Sequence, residues 1–183
     1  MTIPPIDAPR CYVVMGVAGA GKSAVGAALA KALGVTFVEG DAYHPAMSVQ
    51  RMAAGIPLTD ADRLPWLQAL AARLREAEEA GTGLVVTCSA LKRSYREVLR
   101  TGSASVKFIY LHGDRELLAM RLAQRREHFM PPSLLESQLV ALEPPTPEEE
   151  AWAYNVRCSP REIVAAVIER ISAPGGATSR SGP

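Results

Sequence analysis

Short, β-prone apolar runs punctuate this chain at Cys11 to Met15, Val35 to Val38, Leu84 to Cys88 and Val106 to Leu111. The first ends at Gly16 and reads as a buried strand, and the others are strand candidates of the same kind. Ala153 to Arg157 is a weaker last strand. Helices are expected between these runs. Small and apolar residues from Lys22 to Leu33 suit one, with Gly34 placed to stop it. A short helix is expected from about Ala46 to Ala54, ending at Gly55. Thr59 and Asp62 resemble a capping box that opens a helical stretch towards Ala80. Pro65 sits near its start, where proline is tolerated best, and Gly81 closes it. Lys92 to Arg100, Asp114 to about Arg126, and about Leu134 to Leu142 follow as further helices. Ser159-Pro160-Arg161-Glu162 joins a serine cap, an early proline and a glutamate at the third position, and so starts the last helix. Glu143 to Glu150, rich in proline and acid, reads as a surface loop.

Strands that alternate with helices imply parallel pairing through right-handed crossovers. The expected fold is therefore α/β, a three-layer sandwich around a parallel sheet. One domain spans residues 10–172, with a flexible segment at 1–9. The stretch 173–183 is rich in glycine, serine and proline and is expected to be a disordered tail.

Composition narrows the function. The chain has 183 residues, 48% hydrophobic and 21% charged, ordinary values for a globular domain. Its formal net charge of +1 offers no global field for nucleic acid or an anionic membrane. Cys11, Cys88 and Cys158 lie far apart, which is neither a disulfide framework nor a zinc site. No apolar run approaches the ~20 residues of a membrane span. Met1 to Pro9 also lacks a stretch of signal-peptide length. A cytoplasmic location is expected.

Gly16-Val17-Ala18-Gly19-Ala20-Gly21-Lys22-Ser23 matches GxxxxGK[ST] between a strand and a helix, the context that makes the pattern a P-loop. Its backbone N–H groups can converge on phosphate oxygens, and the helix start adds a positive dipole end. Lys22 is expected to reach the β- and γ-phosphates and Ser23 to bind Mg²⁺. Ala24 stands in the first helical turn behind them and completes the nucleotide-binding candidates. A guanine switch is disfavoured, because the only asparagine, Asn155, is in no NKxD context.

In a parallel sheet the ligand crevice lies beyond the carboxyl ends of the strands. After the second strand, Asp41 could orient an acceptor hydroxyl and take its proton. Glu39 could order Mg²⁺ through water, or belong with Asp41 to a solvated acidic turn. His44, before Pro45, could equally cap or pack. After the third strand, Ser89, Lys92, Arg93 and Arg96 could hold an anionic substrate or form a solvated basic helix. Arg121 and Arg125 share a helical face that ends at Pro131-Pro132. They suit a lid over about 121–142 that closes on the phosphates, though basic residues also favour a plain helix end.

The motifs GVAGAGKS (16–23), GDAYHP (40–45), RMAAGIPLTDADRLPWLQAL (51–70), CSALKRSYREVLR (88–100), FIYLHGD (108–114) and RLAQRREHFM (121–130) resemble those of the short, P-loop gluconate kinases. The resemblance runs from about Tyr12 to Pro144. It implies phosphoryl transfer from ATP to the 6-hydroxyl of D-gluconate, a nucleoside-monophosphate-kinase-like fold with a lid, and a homodimer. It further implies Gly16 to Ser23 as the ATP loop and Asp41 as the acceptor-side carboxylate. His44, Arg51, Arg63, Lys92, Arg96 and His128 become gluconate-side candidates. Arg121 and Arg125 fall to ATP, with Arg125 also catalytic. Glu39 stands where aspartate is commoner in that family. Shikimate kinases carry a glycine triplet where this chain has Ser89-Ala90-Leu91, which favours gluconate. A nucleotide-gated sensor without turnover is disfavoured by intact Lys22, Ser23 and Asp41, and a polynucleotide kinase by the 5% aromatic content.

Overall fold

A computed structural model describes residues 10–124 and 132–173. Five strands form one parallel sheet: β1 (Cys11–Met15), β2 (Thr36–Val38), β3 (Leu84–Cys88), β4 (Lys107–His112) and β5 (Trp152–Asn155). Their order is β2-β3-β1-β4-β5. The register pairs Val13 with Val86 on one side of β1, and Val14 with Ile109 on the other. The chain fills one side of β1 first and then crosses to the other. That reversal opens a crevice beyond the carboxyl end of β1. Every residue of β1 and β3 is buried, which explains their largely apolar composition; Thr87 is the polar exception, and its hydroxyl is hydrogen-bonded.

Seven α-helices accompany the sheet among the described residues: α1 (Lys22–Leu33), α2 (Ala46–Ala53), α3 (Asp60–Glu79), α4 (Arg93–Arg100), α5 (Arg115–Ala123), α6 (Pro132–Ala141) and α7 (Pro160–Ser172). Local signals fix several ends. Gly34 caps α1 at a φ of 69°, where its N–H meets the carbonyls of the last turn. Capping boxes start α3 (Thr59 with Asp62) and α7 (Ser159 with Glu162). Helix α1 packs on α7, and α3 on α4, giving a three-layer arrangement. The apolar side of α3 (Trp66, Leu67, Leu70, Leu74) joins the strand residues in one core. Each such side chain contributes about 1.5–3 kcal/mol on burial. Among the described residues, no helix is long and apolar enough to cross a membrane.

One segment departs from expectation. The acidic stretch after Glu143 holds a 3-10 turn, Pro147–Glu149, and buries Glu149 instead of leaving it in solvent. Glu149 meets Arg96 of α4, itself 1% exposed, through two nitrogen–oxygen contacts of 2.5 and 2.8 Å. Arg96 Nη1 also donates to the carbonyls of Ala90, Leu91 and Glu143. Ala90 has a φ of 43°, unfavourable for a residue with a Cβ, so Arg96 braces a strained turn. The guanidinium holds the Glu149 carboxyl below its usual range, chiefly by hydrogen bonding.

Removing one partner of a buried pair leaves the other charge uncompensated. Glu149→Gln should therefore lower stability by about 3 kcal/mol in urea unfolding at pH 7. Because the folded carboxyl titrates below the unfolded one, its contribution is complete above about pH 4.3 and fades as pH falls through the folded value. The gap between wild type and variant should narrow on acidification; a gap that widens would contradict the pairing.

Candidate active site

The phosphate loop follows β1 directly. Gly21 has a φ of 85° and precedes α1, so the chain turns there in a conformation that a side chain would strain. The loop is tied across the sheet by the Gly16 N–H, which donates to the Ser89 carbonyl at 3.3 Å. Lys22 Nζ lies 3.2 Å from the Val17 carbonyl and curls over the loop it serves. Ala18, Gly19, Gly21, Lys22 and Ser23 line a cleft of about 860 Å³, counted with its open mouth. Gly16, Val17 and Ala20 lie behind that wall, and Ala24 is exposed on α1.

The same cleft is lined by Asp41 and His44 from the turn after β2, Arg63 of α3 and Ser89 just after β3, together with Met52 and Leu58. Asp41 sits in a 3-10 turn, Gly40–Tyr43, whose position is fixed by close approach to β3. The Gly40 N–H donates to Thr87 Oγ1 at 3.0 Å, and a Cβ on residue 40 would stand 1.9 Å from the Thr87 carbonyl. Thr87 Oγ1 in turn donates to Glu39 Oε1 in a short contact. His44 stacks on Trp66, ring centroids 4.0 Å apart at 18°. Burial pushes the His44 pKa down, so at neutral pH its 4.0 Å approach to Asp41 is not an ion pair.

The remaining cations on this side are spoken for. Lys92 pairs with Asp60 at 2.8 Å and lies over the Tyr95 ring. The Tyr95 hydroxyl donates to the same carboxylate. Hydrogen bonds from Lys92 and Tyr95 hold the Asp60 carboxyl below its usual range. Arg51 stands 3.8 Å from Asp62. Arg96 is committed to Glu149 and does not line the cleft. Arg121 of α5 donates to the Val156 carbonyl at 2.6 Å, beside the loop after β5. Arg63 alone among these cations enters the cleft, with its guanidinium 5.9 Å from the Tyr95 ring centre. Arg125 and His128 lie outside the described residues.

Two participants escaped the sequence reading. Gln138 of α6 lines the cleft and its Oε1 accepts the Ala18 N–H at 2.7 Å, a contact spanning 120 residues that no local pattern announces. Trp66 supports the turn that bears Asp41, and its only signal was its place in the stretch from Gly55 to Leu67.

Comparison with known proteins agrees with this geometry. A family model described as an AAA domain matches residues 12–145. The chain is similar to a gluconokinase of Gluconobacter oxydans, 47% identical over 165 residues that cover 90% of this chain and 93% of that one. Among solved structures it is similar to a gluconokinase from Sinorhizobium meliloti, with a TM-score of 0.81 and 47% identity over 90% of this chain and 94% of that one. A sugar kinase from Janibacter sp. gives a TM-score of 0.84 and 43% identity, over 87% and 92% of the two chains.

Backbone is what a Cβ at residue 40 would meet, and backbone cannot swing aside. Gly40→Ala should therefore cost about 3 kcal/mol, at the upper end of overpacking effects, in thermal or urea unfolding. A variant as stable as wild type would show that the Thr87 approach is loose.

Proposed function

The chain belongs to the gluconokinase family, and we propose that its cleft carries out the ATP-dependent phosphorylation of gluconate with Lys22 and Asp41 facing each other across it. The protein is an ATP-dependent kinase with a small-molecule acceptor, gluconate. The observation that supports the site is the shared cleft: P-loop residues Lys22 and Ser23 line it together with Asp41, His44 and Arg63.

The N–H groups of the loop and the Lys22 ammonium hold the triphosphate and spread the charge that develops on its outer oxygens. Asp41 accepts a hydrogen bond from the acceptor hydroxyl, orients its oxygen toward the γ-phosphorus, and takes the proton as the new bond forms. Arg63 suits the acceptor's carboxylate, because it lines the cleft while Lys92 and Arg96 are each engaged by acidic residues of the chain itself. Arg121 of α5, which donates to the Val156 carbonyl and is not among the residues lining the cleft, belongs to this reading as a nucleotide-side residue. Arg125 and His128 complete the proposal as lid residues.

Mg²⁺ characteristically keeps several waters and takes one or two protein oxygens beside the phosphates. The Ser23 hydroxyl in the cleft fits that requirement, whereas Glu39, bonded to Thr87, is not among the residues lining the cleft and would act only through water. Bound there, the ion would neutralise phosphate charge. A homodimer and a cytoplasmic location belong to the same reading. Exposed Met47, Val49, Ile56 and Leu64 offer apolar surface for a second copy, and buried free Cys11 and Cys88 suit a reducing compartment.

Asp41→Asn should cut turnover on gluconate roughly 10²-fold or more while nucleotide affinity holds, measured by coupled ADP release and by titration with an ATP analogue. Unchanged turnover removes Asp41 from the chemistry. Lys22→Ala should weaken both phosphate binding and rate, and near-normal kinetics would contradict the cradle.

A further inference from the structure

Asp41 has a weakly held side chain on a firmly held backbone. Its carboxylate is 66% exposed, and the neutral His44 ring is 4.0 Å away, beyond hydrogen-bond reach. Its aim is therefore set by the turn that carries it. That turn is gripped on both sides of Gly40. The N–H is taken by Thr87, and the carbonyl accepts the Trp66 indole Nε1–H at 2.7 Å. At the far end of the turn the His44 ring lies flat on the same indole. The His44 N–H closes the turn onto the Asp41 carbonyl at 3.3 Å.

Resting on the reading of Asp41 as the acceptor-side carboxylate, we propose that Trp66 is a positioning residue for Asp41, acting through the Gly40 carbonyl and the His44 ring. Trp66 is 1% exposed, and a phenylalanine or leucine would fill much of its volume. Neither could donate to the Gly40 carbonyl, so that buried acceptor would lose its partner and the turn its upper anchor. Displacement of a reacting group by about 1 Å can cost 10²-fold in rate. The segment that distinguishes α3, from Thr59 to Leu67, thereby does more than cap a helix. It sends Arg63 to the cleft and Trp66, one helical turn later, to the Gly40 carbonyl and the His44 ring of the turn that bears Asp41.

A double-mutant cycle tests this on the full chain, with Trp66→Phe, Asp41→Asn and the pair together. Trp66→Phe alone should lower kcat for gluconate by about 10-fold or more and leave the KM for ATP within about twofold. In the Asp41→Asn background the same change should cost less than about twofold, because the group it aims is already gone. Equal losses in both backgrounds overturn the proposal, as does an unchanged kcat in Trp66→Phe. Should Asp41→Asn itself leave turnover intact, the catalytic reading of Asp41 fails first, and the single-variant arm shows that separately. If Trp66→Phe does not fold, β-(3-benzothienyl)alanine at position 66 keeps the indole shape and removes only the N–H. It should show the same fall in kcat at an unaltered melting midpoint; full activity would refute the role of the donor.

Discussion

The carboxyl end of β3 is the joint on which both walls of the cleft hang. Within three residues it accepts the Gly16 N–H at the Ser89 carbonyl and the Gly40 N–H at the Thr87 hydroxyl. The first contact seats the phosphate loop and the second seats the acceptor turn. Because β3 lies between β1 and β2 in a parallel sheet, the loops that follow those two strands emerge on either side of it. A donor and an acceptor of a phosphoryl group must face one another within ångströms for transfer to occur. A single rigid strand end, buried on both faces, sets that separation more firmly than two independent loops could.

The same strand end carries the structure's most heavily committed charge. The backbone leaves β3 through a left-handed Ala90, a conformation that costs of order 1 kcal/mol or more for a residue with a Cβ. Arg96 recovers the carbonyls of Ala90 and Leu91 and is itself neutralised by Glu149. Burying two charges is expensive, so the pair is weak evidence for net stability. Its contribution is one of registration. It fixes the turn after β3 relative to the segment after α6, and Glu143 of that segment also caps α4 through the Arg93 N–H. The loop that looked like solvated surface is thus a strap across the back of the site.

What could be read along the chain, and what could not, divides on whether the cause is local. Gly34, Thr59 with Asp62, and Ser159 with Glu162 act within four residues, and the helices begin or end where they stand. The P-loop is equally local, since its glycines and Lys22 are contiguous. Alternation of strand and helix carried the parallel sheet, because few topologies satisfy it. The fate of each cation was not legible. Arg96, Lys92, Arg51 and Arg63 are chemically similar in sequence, and their roles diverge only through Glu149, Asp60 and Asp62. A proline-rich acidic stretch carries no mark that one of its glutamates will be drawn inside by an arginine 53 residues earlier. Gln138 on the phosphate loop is hidden for the same reason.

On the proposed reading, that division also bears on how the acceptor side would select an anion. A cleft lined by many free cations would bind phosphate and carboxylate alike, and would compete for the nucleotide held opposite. Here the chain's own carboxylates engage Lys92 and Arg96 outside the cleft lining, so that positive charge among the described lining residues comes from Lys22 and Arg63. His44, kept neutral by burial, adds hydrogen-bonding capacity without charge. On the proposed reading, Lys22, Asp41 and Arg63 would take phosphate, hydroxyl and carboxylate respectively. A sugar acid that presents an alcohol at one end and an acid at the other satisfies that order; a neutral polyol leaves Arg63 unpaired, and a buried or half-buried charge without a partner is costly. On that reading, specificity resides as much in the acidic residues that engage Lys92 and Arg96 as in Arg63 itself.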